Sequence, residues 1–171
     1  MVFGITTFTL IHVILSLVGI VAGLVLAGAL VAGARPARWA TIFLVTTVLT
    51  NVTGFGFPDL AFGPSHVVAI VSLVVLAAVI AAHYVKHFPG RWRATYAAGV
   101  VVATYLNVFV LVNQLFRRIP ALIVAAPTQS EPPFALTQIL VLALFVWLGV
   151  AAVKGFRAAP VSSGVPVGAS W

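Results

Sequence analysis

Five long apolar runs, separated by short segments that carry most of the charged residues, constrain the fold of this chain more than any other feature. The runs cover about residues 5–32, 39–57, 65–84, 95–116 and 134–153. Each has ~20 residues or more, and a helix of that length, rising ~1.5 Å per residue, crosses the ~30 Å hydrocarbon core of a bilayer. The sequence therefore predicts an all-α, polytopic transmembrane bundle of five spans within residues 1–157. Residues 158–171 lack hydrophobic periodicity, and we expect a disordered cytoplasmic tail there.

The amino-acid composition excludes several classes of function. With 63% apolar and 6% charged residues, the chain has no room for a substantial water-soluble domain. Cysteine is absent, which excludes disulfides, thiolate metal sites and cysteine nucleophiles. Neither an HExxH nor a GxSxG motif occurs, and no run contains a pair of carboxylates. The sequence therefore favours a protein that is not an enzyme.

The basic residues predict how the chain is oriented. They produce a net charge of +7 and fall between the apolar runs, where they orient a membrane protein rather than bind nucleic acid. Alternating connections place seven of them on one side of the membrane: Arg35, Arg38, Lys86, Arg91, Arg93, Lys154 and Arg157. Arg117 and Arg118 lie on the other side, together with the two acids, Asp59 and Glu131. The positive-inside rule then puts the N-terminus outside and the C-terminus in the cytoplasm.

Polar side chains within the runs concentrate in the half of the membrane that this orientation makes the outer one. The candidate ligand-binding residues are His12, Asn51, His66, Asn107, Gln114 and Gln138. His12 shares a helix face with Gly19 and Gly23, a GxxxG pair that lets another helix approach closely. We therefore expect His12 to face protein rather than lipid.

Two interpretations of these polar residues are open. Hydrogen bonding between helices accounts well for Thr47 and Thr50, and in part for Asn107, since a polar group in hydrocarbon needs a partner. It accounts less well for four candidates taken together, because ionisable and strongly polar groups within spans are costly and often functional. These four are His12, Asn51, His66 and Gln114. They favour a pocket in the outer leaflet for a small amphipathic molecule.

A quinone-like molecule demands the least of such a pocket. It needs an apolar cleft and a few hydrogen-bonding groups near headgroup depth, which His12, Asn51 and Gln114 supply. The competing interpretation is a structural or accessory subunit of a membrane complex, or a homo-oligomer, in which the polar residues serve helix packing. A transporter is the third possibility, and only as an oligomer, because the inner halves of the runs are almost wholly apolar and no internal repeat occurs.

Haem b is the second candidate cofactor. His12 and His66 would be its axial ligands, and Arg117 or Arg118 would meet its propionates. The axial nitrogens of a haem must lie ~4 Å apart, whereas His12 lies deeper in its run than His66 does. The inner side also has no second pair of facing histidines. No metal site other than this haem is expected, and the cofactor stays unassigned.

The segment between the fourth and fifth runs is apolar but short. Residues 119–126 are too short to cross a bilayer and too apolar to remain in water, so we expect them at the outer interface. Arg117 and Arg118 reach phosphate headgroups from there. Residues 127–133 then either return the chain to the fifth run or form a lid over the polar residues.

Four short segments carry a resemblance to known proteins. TNVTGFGFP ends the second run, and PSHVV begins the third. YLNVFVLVNQ lies within the fourth run, and APTQSEPPF leads into the fifth. With the histidine of the first run, they resemble a group of small uncharacterised bacterial inner-membrane proteins with five predicted transmembrane helices. The resemblance covers about residues 5–153. It implies a multi-pass protein of the bacterial inner membrane, and no activity or site residue.

Overall fold

The computed structural model describes residues 6–57, 64–85 and 90–158, and within these ranges the regular structure is entirely helical. Its elements are α1 (Thr7–Val31), α2 (Ala37–Gly54), α3 (Pro64–Ile80), α4 (Trp92–Arg118), α5 (Pro120–Ala125) and α6 (Pro132–Ala158). A π-helical turn, Ala81–Val85, continues α3. The predicted all-helical class is therefore confirmed. Asp59, Lys86 and the predicted tail from residue 159 lie outside the described residues.

Four of the described helices are long and apolar enough to cross a membrane. These segments are Thr7–Val31, Ser65–Val85, Trp92–Arg118 and Pro132–Arg157. They indicate a membrane protein. The second helix, α2, has 18 residues, among them Arg38, Asn51 and several threonines, so it lacks an apolar stretch as long as those of the other four.

The first helix ends in a Schellman motif. The Ala34 N–H donates to the Ala29 carbonyl at 2.8 Å, and the Gly33 N–H donates to the Leu30 carbonyl at 3.0 Å. This motif needs a residue at positive φ, which glycine adopts without a Cβ clash; Gly33 has a φ of 75°. The turn reverses the chain, so that α2 runs back along α1.

Two glycines bring the backbone of α1 close to its neighbours. A Cβ added at Gly19 would lie 3.1 Å from Thr47 Oγ1 of α2. One added at Gly23 would collide with the side chain of Thr104 of α4 and lie 3.0 Å from the fully buried Phe43. Gly23 therefore requires a residue without a side chain to preserve this packing, whereas a side chain at Gly19 would need Thr47 to shift by a few tenths of an ångström.

The last helix packs on α1 and α4. A Cβ added at Gly155 would collide with the carbonyl oxygen of Val31, so the backbones of α6 and α1 touch. Away from these contacts α6 exposes large apolar side chains, among them Leu140 at 70% and Trp147 at 65% exposure. Lipid tails are as apolar as these side chains, so this surface suits a helix embedded in a membrane.

The two ends of the bundle differ in charge. One end, called the basic end below, gathers the C-termini of α1 and α6 and the N-termini of α2 and α4. It carries six of the described cations: Arg35, Arg38, Arg91, Arg93, Lys154 and Arg157. The opposite end, called the α5 end, holds Arg117, Arg118 and Glu131, which is the one acid among the described residues.

Candidate functional site

His12 is bonded to a threonine of the neighbouring helix. Its Nδ1 atom lies 2.9 Å from Thr53 Oγ1, which joins α1 to the last turn of α2. The imidazole and the ring of Phe57 also pack edge to face, with the centroids 5.1 Å apart and the planes at 87°. These contacts hold His12, which is half-buried, between α1 and the segment that follows α2.

Asn51 is buried and uses both protons of its amide. Its Nδ2 atom donates to the carbonyl oxygen of Thr47 at 2.7 Å, on its own helix. It also donates to Ser72 Oγ at 3.1 Å, on α3. Asn51 therefore links α2 to α3, and its donor capacity is satisfied by the protein.

His66 lies at the first turn of α3 and is also buried. Its ring centroid is 5.3 Å from that of Phe55. His12 and His66 thus contact different aromatic residues, Phe57 and Phe55, of the segment that ends α2.

Gln114 and the two arginines lie on the surface of the α5 end. Gln114 is exposed, and its Oε1 accepts a hydrogen bond from Arg118 Nε at 3.4 Å. Arg117 and Arg118 are exposed as well. The structure therefore brings Gln114 and Arg118 together, and Arg117 precedes Arg118 in the chain.

Four buried side-chain atoms have no hydrogen-bond partner among the described residues. They are Thr47 Oγ1, Thr50 Oγ1, Asn107 Nδ2 and Gln138 Oε1, and we call these four residues the polar layer. Thr47 is fully buried, while Thr50 and Gln138 are only 8% and 9% exposed. A buried polar group left without a partner costs ~1–3 kcal/mol, so native proteins usually satisfy it with water or a ligand.

Contacts with α1 place two members of the polar layer at the same depth. Thr47 of α2 lies against Gly19. On α4, Thr104 lies against Gly23, one turn nearer the basic end, and Asn107 follows Thr104 by three residues on the same helix face. Because α4 runs opposite to α1, Asn107 reaches the level of Gly19. Thr47 and Asn107 therefore lie at about the same depth in the bundle.

The other two members lie about one turn nearer the α5 end. Thr50 follows Thr47 by one turn of α2. Gln138 donates from Nε2 to the carbonyl oxygen of Phe109 at 3.2 Å, which fixes α6 against α4 two residues beyond Asn107. The polar layer thus draws on α2, α4 and α6 within about two helical turns.

Two shallow grooves on the surface of the described helices are apolar. Each has a volume of about 340 Å³. One lies between α2 and α3, beside Val45, Leu49 and Ile80, and the other lies beside Leu17 and Trp39. Neither lining includes a residue of the polar layer. Their chemistry suits lipid acyl chains rather than a polar group.

The structure also contains an aromatic cluster that the sequence analysis missed. His83, in the π-helical turn after α3, stacks on the buried Tyr96 of α4 with centroids 5.6 Å apart. The ring centroid of Phe156 of α6 lies 5.8 Å from that of Tyr96. In the sequence, Tyr96 could have been singled out by its spacing from Thr104 and Asn107, because that spacing puts the three polar residues on one face of α4.

Glu131 holds the loop before α6. Its carboxylate accepts hydrogen bonds from the Thr128 N–H at 3.1 Å, the Thr128 hydroxyl at 2.9 Å and the Ser130 N–H at 3.0 Å. Although desolvation acts in the opposite direction, these bonds lower the pKa of Glu131 below its ordinary value. The Gln129 amide donates back to the Ala126 carbonyl at 3.4 Å. These contacts are internal to the loop, which gives Glu131 a structural role.

No protein-family model, curated protein or solved structure matches this chain. Its relation to the bacterial inner-membrane proteins that it resembles stays a prediction. The case for a site therefore rests on the geometry of the polar residues.

Proposed function

We propose that this chain is a small integral membrane protein that binds a neutral amphipathic molecule at the polar layer. The observation that carries this proposal is the group of four buried polar atoms without a described protein partner. They offer both kinds of hydrogen-bonding group. The hydroxyls of Thr47 and Thr50 donate or accept, the Asn107 amide nitrogen donates, and the Gln138 amide oxygen accepts. The ring carbonyl of a quinone is one group that such a layer satisfies.

The charge distribution favours a neutral ligand. The cations of the described helices lie at the two ends of the bundle, whereas Gly19, Phe43 and the polar layer between them carry no charge. An ionised group at this depth would lack a counter-charge, and an unpaired buried charge costs several kcal/mol. Haem b is the weaker candidate, because His12 is bonded to Thr53 and contacts a different aromatic residue from His66.

We also infer that α2 crosses the membrane with the other four long helices, which makes five spans. It lies along α1 from the Gly19–Thr47 contact to the His12–Thr53 hydrogen bond. Several of its threonine hydroxyls donate to carbonyl oxygens one turn earlier, which lowers the cost of placing them in hydrocarbon; they are Thr41, Thr46 and Thr53. With five spans the basic end faces the cytoplasm of a bacterial cell by the positive-inside rule.

An accessory subunit of a membrane complex is the second candidate function. The bonds from His12 to Thr53 and from Asn51 to Ser72 favour it, because both join neighbouring helices as packing alone requires. In this case the protein acts through a partner, either a second copy or another membrane protein. A transporter is supported only for an oligomer that builds a polar path between subunits.

The substitution Thr47→Val separates the first two candidates, since it removes the hydroxyl and keeps the volume nearly constant. Thr104→Val is the matched control, because Thr104 is equally buried but donates to the Val100 carbonyl at 2.7 Å. Protein purified from membranes in mild detergent would be analysed by native mass spectrometry for a retained neutral molecule. Its thermal unfolding would be measured with and without a short-chain quinone analogue.

If a ligand binds at the polar layer, wild type and Thr104→Val should retain a molecule or gain stability from the quinone analogue. Thr47→Val should do neither. Packing alone predicts a different result. Removal of an unpaired buried hydroxyl is then neutral or stabilising. A wild-type protein that carries no molecule and unfolds at a lower temperature than Thr47→Val would favour the accessory subunit.

A further inference from the structure

Gln138 is the member of the polar layer whose amide orientation is fixed by a neighbouring helix. Its Nε2 atom donates to the Phe109 carbonyl oxygen of α4 at 3.2 Å. The reverse orientation of the amide would set two acceptor oxygens against each other with no proton between them. Oε1 is therefore the amide atom left without a hydrogen-bond partner among the described residues.

The helix that carries Gln138 supplies no side-chain donor for this oxygen. The side chains one turn away on α6 are all apolar: Phe134, Ala135, Val141 and Leu142. Gln138 itself is only 9% exposed, so its Oε1 is also shielded from the surroundings of the bundle. A buried carbonyl oxygen of this kind is normally bonded to an O–H or N–H group, which here has to come from outside the described residues.

The four groups of the polar layer differ in the partner that they need. A threonine hydroxyl both donates and accepts, so Thr47 and Thr50 bond to a ligand of either kind. The Asn107 amide nitrogen needs an acceptor, whereas Gln138 Oε1 accepts only and needs a donor. The carbonyl oxygen of a quinone meets the need of Asn107 and not that of Gln138. A hydroxyl group meets either need, because it donates one proton and accepts at its lone pairs.

We propose that the ligand of the polar layer is an apolar molecule with a hydroxyl group that donates to Gln138 Oε1. This inference rests on the proposed binding at the polar layer and adds the chemical class of the ligand. The donor is a neutral one, because the polar layer carries no charged side chain and an ammonium group would lack a counter-charge there. Of a quinone and its quinol, the layer therefore favours the quinol, whose hydroxyl donates where the carbonyl of the quinone does not.

The test compares probes that differ in the donor. A 4-alkylphenol carries the hydroxyl, its methyl ether keeps the oxygen without a proton to donate, and a short-chain quinone analogue carries carbonyls alone. The full chain in detergent would be titrated with each probe, and the shift in thermal unfolding would give the affinity. Gln138→Met removes the amide at nearly constant length, whereas Gln138→Glu keeps an acceptor oxygen. Thr137→Val is the control, because the Thr137 hydroxyl already donates to the Pro133 carbonyl at 2.8 Å. Circular dichroism would verify that each variant keeps its helices.

Wild type, Thr137→Val and Gln138→Glu are expected to bind the phenol about tenfold more tightly than the ether, and Gln138→Met is expected to bind the two alike. Wild type that binds the quinone or the ether as tightly as the phenol would overturn the hydroxyl and leave the proposed function standing; a buried water would then be the partner of Oε1. Binding of none of the three probes would overturn both. A preference for the phenol that persists in Gln138→Met would overturn the role of Gln138. The comparison of probes on wild type decides the first two outcomes without any variant.

Discussion

His12 Nδ1 lies 2.9 Å from the hydroxyl oxygen of Thr53, so the one ionisable side chain of α1 is tied to α2. Some of the other polar candidates are likewise bonded to protein groups, and others are not. The Asn51 amide donates to Ser72 and to the Thr47 carbonyl, whereas the four buried atoms of the polar layer have no partner among the described residues. Thr47, Thr50 and Asn107 thus differ from the residues that join neighbouring helices, whereas Gln138 bonds the Phe109 carbonyl through Nε2 and leaves Oε1 without a partner among the described residues.

A double-mutant cycle measures the bond between α1 and α2. We expect His12→Leu and Thr53→Val to show a coupling free energy of ~0.6 kcal/mol, as is typical of hydrogen bonds between membrane helices. The His12→Leu variant should stay folded, because the Thr53 hydroxyl that loses His12 still donates to the Leu49 carbonyl at 2.7 Å. Unfolding in a detergent and denaturant series provides the four free energies. Strict additivity of the two substitutions would show that the pair does not interact.

Substitution of a glycine at the contact between α6 and α1 should be costly. Gly155→Ala forces the two backbones apart, and we expect a loss of ~1–3 kcal/mol in the free energy of unfolding. Gly28→Ala is the control, since no atom lies within 4 Å of a Cβ added there. That change should stabilise α1 by ~0.5–1 kcal/mol, as alanine does in a helix interior. Equal effects of the two substitutions would argue against a close α1–α6 contact.

Glu131 should titrate below the ordinary glutamate value of 4.5. Its lowered pKa means that the ionised form stabilises the loop. That contribution is complete above the unfolded-state pKa and is lost as the pH falls through the folded-state pKa. Carbon NMR of the side-chain carboxyl in labelled protein reports the midpoint. Thr128→Val removes the hydroxyl donor and should raise the pKa toward its ordinary value, whereas an unchanged midpoint would mean that this hydroxyl does not bond Glu131.

Cysteine labelling tests whether α2 crosses the membrane. The chain has no native cysteine, so Ala34→Cys and Asp59→Cys each create a single reactive site, one on either side of α2 in the sequence. A membrane-impermeant maleimide added to intact bacterial cells should label the Asp59→Cys variant, and should label Ala34→Cys only after the cells are opened. Labelling of both variants from the same side would leave α2 outside the bilayer and reduce the spans to four.

The positions of the long helices follow from the apolar runs, while their ends depend on local chemistry. The fourth run predicts residues 95–116, whereas α4 spans Trp92–Arg118, because basic side chains at a helix end reach the interface. The fifth run predicts a start at Phe134, whereas α6 begins at Pro132, because the first turn of a helix needs no N–H bond. A short helix, Pro120–Ala125, occupies most of the interfacial segment 119–126.

The roles of individual polar residues are less accessible to sequence reasoning. From the sequence, Thr47 and Thr50 are assigned to hydrogen bonds between helices, yet their hydroxyls have no partner among the described residues. Asn51, favoured for a ligand, finds Ser72 on the next helix. These outcomes depend on which helices adjoin and how each is rotated about its axis. A single sequence constrains rotation only through faces of small or polar residues, as at Gly19 and Gly23 of α1.

Synthesis of the chain delays closure of the bundle, since Gly155 lies on α6, which leaves the ribosome after the other described helices, and Val31 ends α1, which leaves before them. Until α6 arrives, the flanks of α1 and α4 that it covers stay open. The nascent protein is therefore more open than the completed one. A membrane-soluble molecule would have its widest route to the interior during that interval, and the arrival of Gln138 with α6 would then enclose it.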